Sequence, residues 1–383
     1  MMYKLNLLAL KALFIGSAIL LSGCGGGNGD GVPGGNQGQG GDVRLEGAGA
    51  TFAAPLVTAM ADEYRDVTNG HVTLNYQSIG SGGGIRQFKE QTIMFGMTEA
   101  FLDDEVMAEI EEETGGRAFN IPITLADVVP TYNLPGVEEN LVLDGETLVD
   151  IYMGDITDWD DEAIQELNPD VELPDRSITV VYRSDGSGTT NLWTSYFSRV
   201  SDEWRDEVGY GTSVSWPTGT GANGNEGVAG TVQNSPGAIG YNSLSYAFLN
   251  DIPYAHLINQ SGNVIEPSFE ATTEAADIDL PDDTRALFTN TPAEDGYPVA
   301  GFTWMLVYEN LEQNNAFSNR NQAEEFVEFL IWSITEGQEL SEDVGYARLP
   351  DAPVERAFDM IKEIKWEGEP VGEQILEEVQ PQI

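Results

Sequence analysis

The sequence predicts an α/β protein whose largely parallel sheets are covered by helices. Three observations carry that expectation. Strand-like and helix-like hydrophobic patterns alternate from residue 43 onward. Three small-residue loops, at residues 47–52 (GAGATF), 80–85 (GSGGGI) and 183–190 (RSDGSGTT), each follow a strand-like run and open into a helix-like one. The composition, 41% hydrophobic and 21% charged over 383 residues, is that of a globular chain long enough for two domains.

In chain order, residues 43–46 read as a strand and 53–67 as an amphipathic helix. Residues 71–78 (HVTLNYQS) alternate as a strand does, and 84–91 read as a helix. A short strand over 94–98 precedes an acidic helix over 103–113, and 128–133 and 177–183 are further strands. Within 144–168, the WDDE at 159–162 marks a turn and then a helix start. Residues 216–230 are Gly-rich and open with Trp216 and Pro217, which predicts an ordered loop. Residues 299–308 (VAGFTWMLVY) read as a buried strand, and 321–336 as a strong amphipathic helix. A last helix is expected over 354–365, with Pro353 where a first turn tolerates it. The sequence shows no internal repeat.

The charge is nearly all of one sign: 64 Asp and Glu against 17 Lys and Arg, a formal net charge of -47. The acids are spread along the whole chain, which reads as the signature of a halophilic or salt-tolerant organism. Such a surface excludes nucleic-acid binding, which needs a basic footprint. The N-terminus carries Lys4, an apolar run over 5–21 broken by Lys11, and then Leu21-Ser22-Gly23-Cys24. The run is short for a spanning helix. A leader ending in L-S-G-C resembles the lipobox of bacterial lipoproteins. That resemblance implies a signal peptide over 1–23, cleavage before Cys24 and a lipid on its sulfur. Cys24 is the only cysteine, so no intrachain disulfide is possible. Residues 24–42 then form the lipidated Cys and a Gly-rich tether, whose coil span is about 20–25 Å.

The three loops carry the chemistry. Helix N-termini have unpaired N–H donors and partial positive charge, so they bind anions readily. Thr51 and Phe52 stand at the first helix start, and Ser81 at the second, where flanking glycines allow close backbone approach. The third loop adds a forked cation, Arg183, to the hydroxyls and N–H groups of Ser187, Gly188 and Thr189. Asp185, two residues on, is placed to hold that guanidinium. Taken singly, the first loop also fits a plain N-cap, the second a flexible turn and the third an Asx-turn. Together they suggest a pocket that encloses a small oxyanion.

Enzyme chemistry lacks its parts. His71 and His256 are the only histidines, and neither is near the loops in sequence. GSGTT lacks the Lys of a P-loop, and no G-x-S-x-G frames Ser187. The acid clusters at 103–105 and 111–113 read as solvated surface rather than a metal site. No cofactor or metal is expected, and a phosphatase is disfavoured.

GAGATFAAPL, NYQSIGSGGGIRQF, FGMTEAFL, LVLDGETLVDIYMGDITDWDDEAIQELNP, YRSDGSGTTNLWTSYF and NSPGAIGY closely resemble motifs of the periplasmic phosphate-binding proteins of phosphate ABC transporters, in order and spacing. The resemblance runs from about Val43 almost to the C-terminus. It implies a two-lobed periplasmic-binding-protein fold (type II-like), with the ligand cleft between lobes joined by a two-strand hinge. Lobe I would comprise 43–126 plus 299–383, and lobe II 127–298. It places phosphate contacts on Thr51, Phe52, Ser81, Arg183, Ser187, Gly188 and Thr189, with Asp185 orienting the arginine. One motif departs: where the family has F-G-[A/S]-S-D-A-P-L, this chain has FGMTEAFL, so the family's aspartate falls on Glu99. A carboxylate there favours an anion that still carries a proton. Glu99 is expected to keep that selection; otherwise it points away, and Thr98 or a water takes the role. The implied partners are inorganic phosphate and the ABC permease, for a monomer that meets the membrane only through its lipid. Arsenate, of the same charge and shape, is the alternative ligand.

Overall fold

The computed structural model describes residues 42–137 and 140–380. The expected leader, Cys24 and all but the last residue of the tether lie outside the described residues. Among those described, eleven strands form: β1 (Val43–Gly49), β2 (Val72–Ser78), β3 (Phe95–Thr98), β4 (Ala118–Tyr132), β5 (Val142–Leu143), β6 (Thr179–Arg183), β7 (Thr220–Ala222), β8 (Ala238–Ser243), β9 (His256–Ile258), β10 (Val264–Ile265) and β11 (Ala300–Tyr308). Eight make one curled sheet in the order β2-β1-β3-β11-β4-β8-β6-β7; β10, β9 and β5 make a small second one. Helices lie between most of the strands, giving a mixed α/β, two-lobed architecture.

The main sheet is less parallel than the alternation predicts. β1 runs parallel to β2 and β3, and β6 to β7 and β8. The centre is antiparallel, β11 against β3 and β4, and β4 against β8. The reason is connectivity. β4 carries the chain out of the first half of the sheet and β11 carries it back, so the two run in opposite directions.

β4 is 15 residues long and buried throughout, which explains its near-continuous apolar text. The sequence pattern reveals only its second half, because Pro122 cannot donate to a ladder. The structure seats Pro122 beside a register shift: it faces Trp304, while Thr124 faces Thr303 and Ile123 is skipped. The Ile123 carbonyl accepts from Gln338 Nε2 instead, at 2.9 Å. β4 changes partner midway, pairing with β11 up to Asp127 and with β8 from Val128.

The first helix, Ala54–Val67, buries Leu56, Val57, Met60 and Tyr64 and carries Pro55 in its first turn. It begins at Ala54, so Thr51 and Phe52 lie in the turn leading into it. Gly80, at φ +81°, turns the chain after β2 and lets the next helix start at Ser81, earlier than the pattern suggests. Asp161 caps Glu162–Leu167, as the WDDE implies. Residues 216–230 are not simply a loop: they contain β7 and most of the helix Gly224–Asn234. Three glycines there mask a helix that buries Val228, Ala229 and Val232, with both valines lying against the backbone of Gly240 on β8. Near the C-terminus, Arg320–Ile334 and Asp351–Lys362 form, the latter with Pro353 in its first turn. Among the described residues, no helix is long and apolar enough to cross a membrane.

Behind the second half lies an aromatic cluster. Trp193 stacks on Tyr241 with ring centroids 5.5 Å apart, and Trp216 lies 5.7 Å from the same ring. Burying each such side chain contributes roughly 1.5–3 kcal/mol. The Tyr241 hydroxyl leaves this cluster to accept from the Arg183 N–H at 3.0 Å and to meet the Thr190 hydroxyl at 2.6 Å. Core packing thus fixes the backbone from which the third loop starts.

Candidate functional site

The carboxyl ends of β1, β2, β3, β6, β7 and β8 converge, as open α/β sheets place their ligand sites. Cross-sheet bonds show the convergence. Gly82 N–H donates to the Gly186 carbonyl at 3.0 Å, and Asn225 N–H to Thr51 Oγ1 at 3.1 Å. Tyr246 Oη donates to the Thr51 carbonyl at 2.8 Å, and Tyr346 Oη to the Phe52 carbonyl. All nine residues singled out above, from Thr51 to Thr189, lie in or beside this one cleft.

Arg183 ends β6 with its side chain buried. Its Nε donates to Asp185 Oδ1 at 2.8 Å and its Nη2 to Asp185 Oδ2 at 2.5 Å, a two-point grip that fixes the guanidinium plane. Gly224 N–H adds a third donor to Asp185 Oδ1 at 3.0 Å. Burial alone would raise the Asp185 carboxyl, but the Arg183 bonds and charge and the Gly224 N–H hold it below the usual carboxylate range. Arg183 Nη1 reaches Thr189 Oγ1 at 3.3 Å.

Ser187 caps the helix Gly188–Val200, its Oγ accepting from Thr190 N–H at 3.1 Å. Capping uses the oxygen and leaves the hydroxyl proton free to donate. Gly188 and Thr189 are the first helical residues, so their N–H groups have no partner inside the helix. Ser81 stands in the same position on Ser81–Lys89.

Glu99 follows β3 and is fully buried. It does not point away. Its Oε2 accepts from Ser81 Oγ at 3.0 Å and its Oε1 from Thr303 Oγ1 on β11 at 2.9 Å. Thr98, by contrast, spends its hydroxyl locally, on the Ala100 carbonyl at 2.8 Å. Burial pushes the Glu99 carboxyl up to about 7, while the Thr303 and Ser81 hydroxyls and the Arg183 charge pull the other way. The site therefore combines N–H and hydroxyl donors, one paired guanidinium and one carboxyl near its titration point.

Sequence reasoning missed several members. Asn225 is fully buried at the start of Gly224–Asn234 and touches both Thr51 and Thr189. Thr303 anchors Glu99, and Asn191 Nδ2 donates to the Glu99 carbonyl at 3.3 Å. Asn225 sits in GNEGVAG, whose glycine pattern after a strand was the available signal. Neither histidine enters the cleft: His71 pairs with Glu325 at 3.0 Å, and His256 with Asn140 at 3.2 Å. Among the described residues, no group of three or more His, Cys, Asp or Glu could hold a metal ion.

Residues 34–333 match the model of the PBP superfamily domain. The chain belongs to the PBP superfamily. Within it, the chain is 39% identical over 312 residues to the phosphate-binding protein PstS of Xylella fastidiosa, covering 80% of this chain and 82% of that protein. It is 33% identical over 381 residues to the PstS of Methanocaldococcus jannaschii, covering 94% of this chain and 96% of that one. Those identities place it in the PstS family of this superfamily. The fold matches the solved phosphate-binding protein from Stenotrophomonas maltophilia with a TM-score of 0.62 at 18% identity, over 82% of this chain and 92% of that one. Every candidate residue from Thr51 to Thr303 falls inside the stretch matched by the superfamily.

Proposed function

We propose that this protein binds inorganic phosphate outside the cytoplasm and delivers it to the permease of an ABC transporter. One observation carries the reading: a cradle of donors, Ser81, Arg183, Ser187, Gly188 and Thr189, faces a single buried carboxyl, Glu99. Thr51 and Phe52 complete it from the turn that leads into the first helix. The PstS relatives point to the same ligand.

The donors neutralise the anion's oxygens, and Asp185 keeps the Arg183 fork aimed at them. Glu99 reads the proton. A fully ionised oxyanion such as sulfate would set a negative oxygen against the carboxylate without a hydrogen bond, a cost of several kcal/mol in a dry site. Hydrogen phosphate and dihydrogen phosphate can donate into it. The PstS relatives are named as binding proteins, which supports a binding protein over a phosphatase.

Ligand capture proceeds by closure of two lobes, 43–126 plus 299–383 against 127–298, about the crossings at β4 and β11. The reading is supported by the partner change of β4 after Asp127. A lipid on Cys24 and the 24–42 tether would hold a monomer at the membrane, and the spread acids suit a saline medium. Competition calorimetry with phosphate, arsenate and sulfate tests the ligand. Phosphate is expected to bind at least 100-fold more tightly than sulfate at pH 8, a gap of about 2.7 kcal/mol. Equal sulfate affinity, a clear preference for arsenate, or phosphoester hydrolysis by the pure protein would overturn the reading.

A further inference from the structure

Asn225 makes no contact that the phosphate reading requires, yet it joins the two halves of the cleft. Its amide orientation is fixed by its surroundings. Oδ1 faces the Ser243 N–H at 3.2 Å and the Asn242 amide at 3.4 Å, and a backbone N–H can only donate. The other end of the amide must therefore be Nδ2. It lies 2.9 Å from Thr51 Oγ1 and 3.0 Å from Thr189 Oγ1, so its two protons serve one hydroxyl each. Asn242 Nδ2 also donates to the Asn225 carbonyl at 2.8 Å, and Thr131 Oγ1 to Asn242 Oδ1 at 2.9 Å, tying the residue to β8 and β4.

A hydroxyl oxygen has two acceptor sites and one proton. Thr51 Oγ1 receives Asn225 Nδ2 and the Asn225 backbone N–H. Thr189 Oγ1 receives Asn225 Nδ2 and Arg183 Nη1, the latter cationic and never an acceptor. Both oxygens are filled, so each hydroxyl is left with only its proton to offer. We propose that Asn225 is a positioning residue that sets Thr51 and Thr189 as obligate donors, making the cradle specific for an acceptor-rich anion, and that it couples the two hydroxyls across the closed cleft. The proposal rests on the phosphate reading above and names the side chain that polarises its hydroxyls.

The experiment is a double-mutant cycle by phosphate calorimetry on the wild type, Thr51→Val, Asn225→Asp and the combined variant, each checked for folding by its thermal melt. In Asn225→Asp the new carboxylate accepts from Thr51 and Thr189 and draws their protons away from the ligand. Thr51→Val is therefore expected to weaken binding at least tenfold in the wild type but less than threefold in the Asn225→Asp background. A general effect of the added charge, or a purely structural role, would cost the same factor in both backgrounds; that result overturns the proposal. So does an Asn225→Asp affinity within threefold of wild type. If Asn225→Asp fails to fold, Asn225→Ser removes the amide donors without adding charge: at least a tenfold loss is expected, and affinity within threefold of wild type refutes the idea. A wild type that binds no phosphate at all would instead refute the functional reading itself.

Discussion

Gly188 and Glu99 pack so closely that a Cβ on the glycine would overlap both the Glu99 carboxylate and the Ser81 hydroxyl bonded to it. The longer acidic side chain in FGMTEAFL thus has its space at the start of Gly188–Val200, where the helix N–H groups emerge. Gly188→Ala is expected to weaken phosphate at least 100-fold, a loss of about 2.7 kcal/mol. Glu99→Asp, one methylene shorter, should recover part of that loss in the double variant. Calorimetry on the four proteins checks the coupling, and additive losses would refute it.

Glu99 also predicts a pH dependence. With its carboxyl near 7, it accepts a proton as pH falls, and a protonated Glu99 can donate to sulfate. Sulfate affinity should rise by up to about tenfold per unit as pH falls from about 9 towards 7 and level off below 7, so discrimination narrows over that range. Glu99→Gln should make sulfate binding independent of pH across this window.

The same group affects stability in the ligand-free protein. An acid raised from 4.5 to about 7 on folding holds its proton more tightly in the folded state, so it stabilises below that range and loses its contribution as pH rises from about 4.5 to 7. Glu99→Gln should remove this slope and be more stable than wild type at pH 8 by about 1–3 kcal/mol. Chemical denaturation at pH 5 and pH 8 measures the difference.

Breaking the Arg183–Asp185 pair leaves a buried guanidinium without its partner. Asp185→Asn should destabilise the ligand-free protein by about 2–4 kcal/mol. Phosphate supplies the missing negative charge, so the melting temperature should rise more on phosphate addition than it does for wild type. An equal rise in both proteins would contradict the prediction.

Asp127 lies where β4 changes partners, fully buried, and burial pushes its carboxyl well above the usual range. Its proton is therefore retained on folding, and its contribution to stability falls as pH rises above the unfolded carboxyl value. Asp127→Asn should be the more stable form at pH 8 and should flatten the pH dependence of the melting temperature.

The three small-residue loops were legible as strand-to-helix turns because each is local: small residues, a strand before and a helix after, all within about eight positions. Thr51, Ser81, Arg183 and Ser187 announce themselves that way. Asn225 and Thr303 do not, because their partners Thr51 and Glu99 lie 174 and 204 positions away in sequence. The helix at Gly224 was hidden by its three glycines, and the close approach of its valines to β8 is made at Gly240, far along the chain. The first half of β4 was hidden by Pro122, which the sheet accommodates beside a register shift no local pattern announces. Glu99 shows the same division. Its place at the end of β3 could be read from the motif, but its anchoring on Thr303 depended on β11 packing beside β3.

The placement of β11 between β3 and β4 has a consequence for how the chain matures. Strands from Val43 to Tyr132 are made early, yet β3 and the first half of β4 lack their shared neighbour until residues 300–308 have been synthesised. The intervening segment can pair β4 with β8, and β8 with β6, without it. Until β11 is present, the edges of β3 and of the first half of β4 that it covers stay open, the condition under which chains aggregate. Thr303, the residue that braces Glu99, arrives on that same late strand, so the hydrogen-bond set of Glu99 is among the last features the chain can complete.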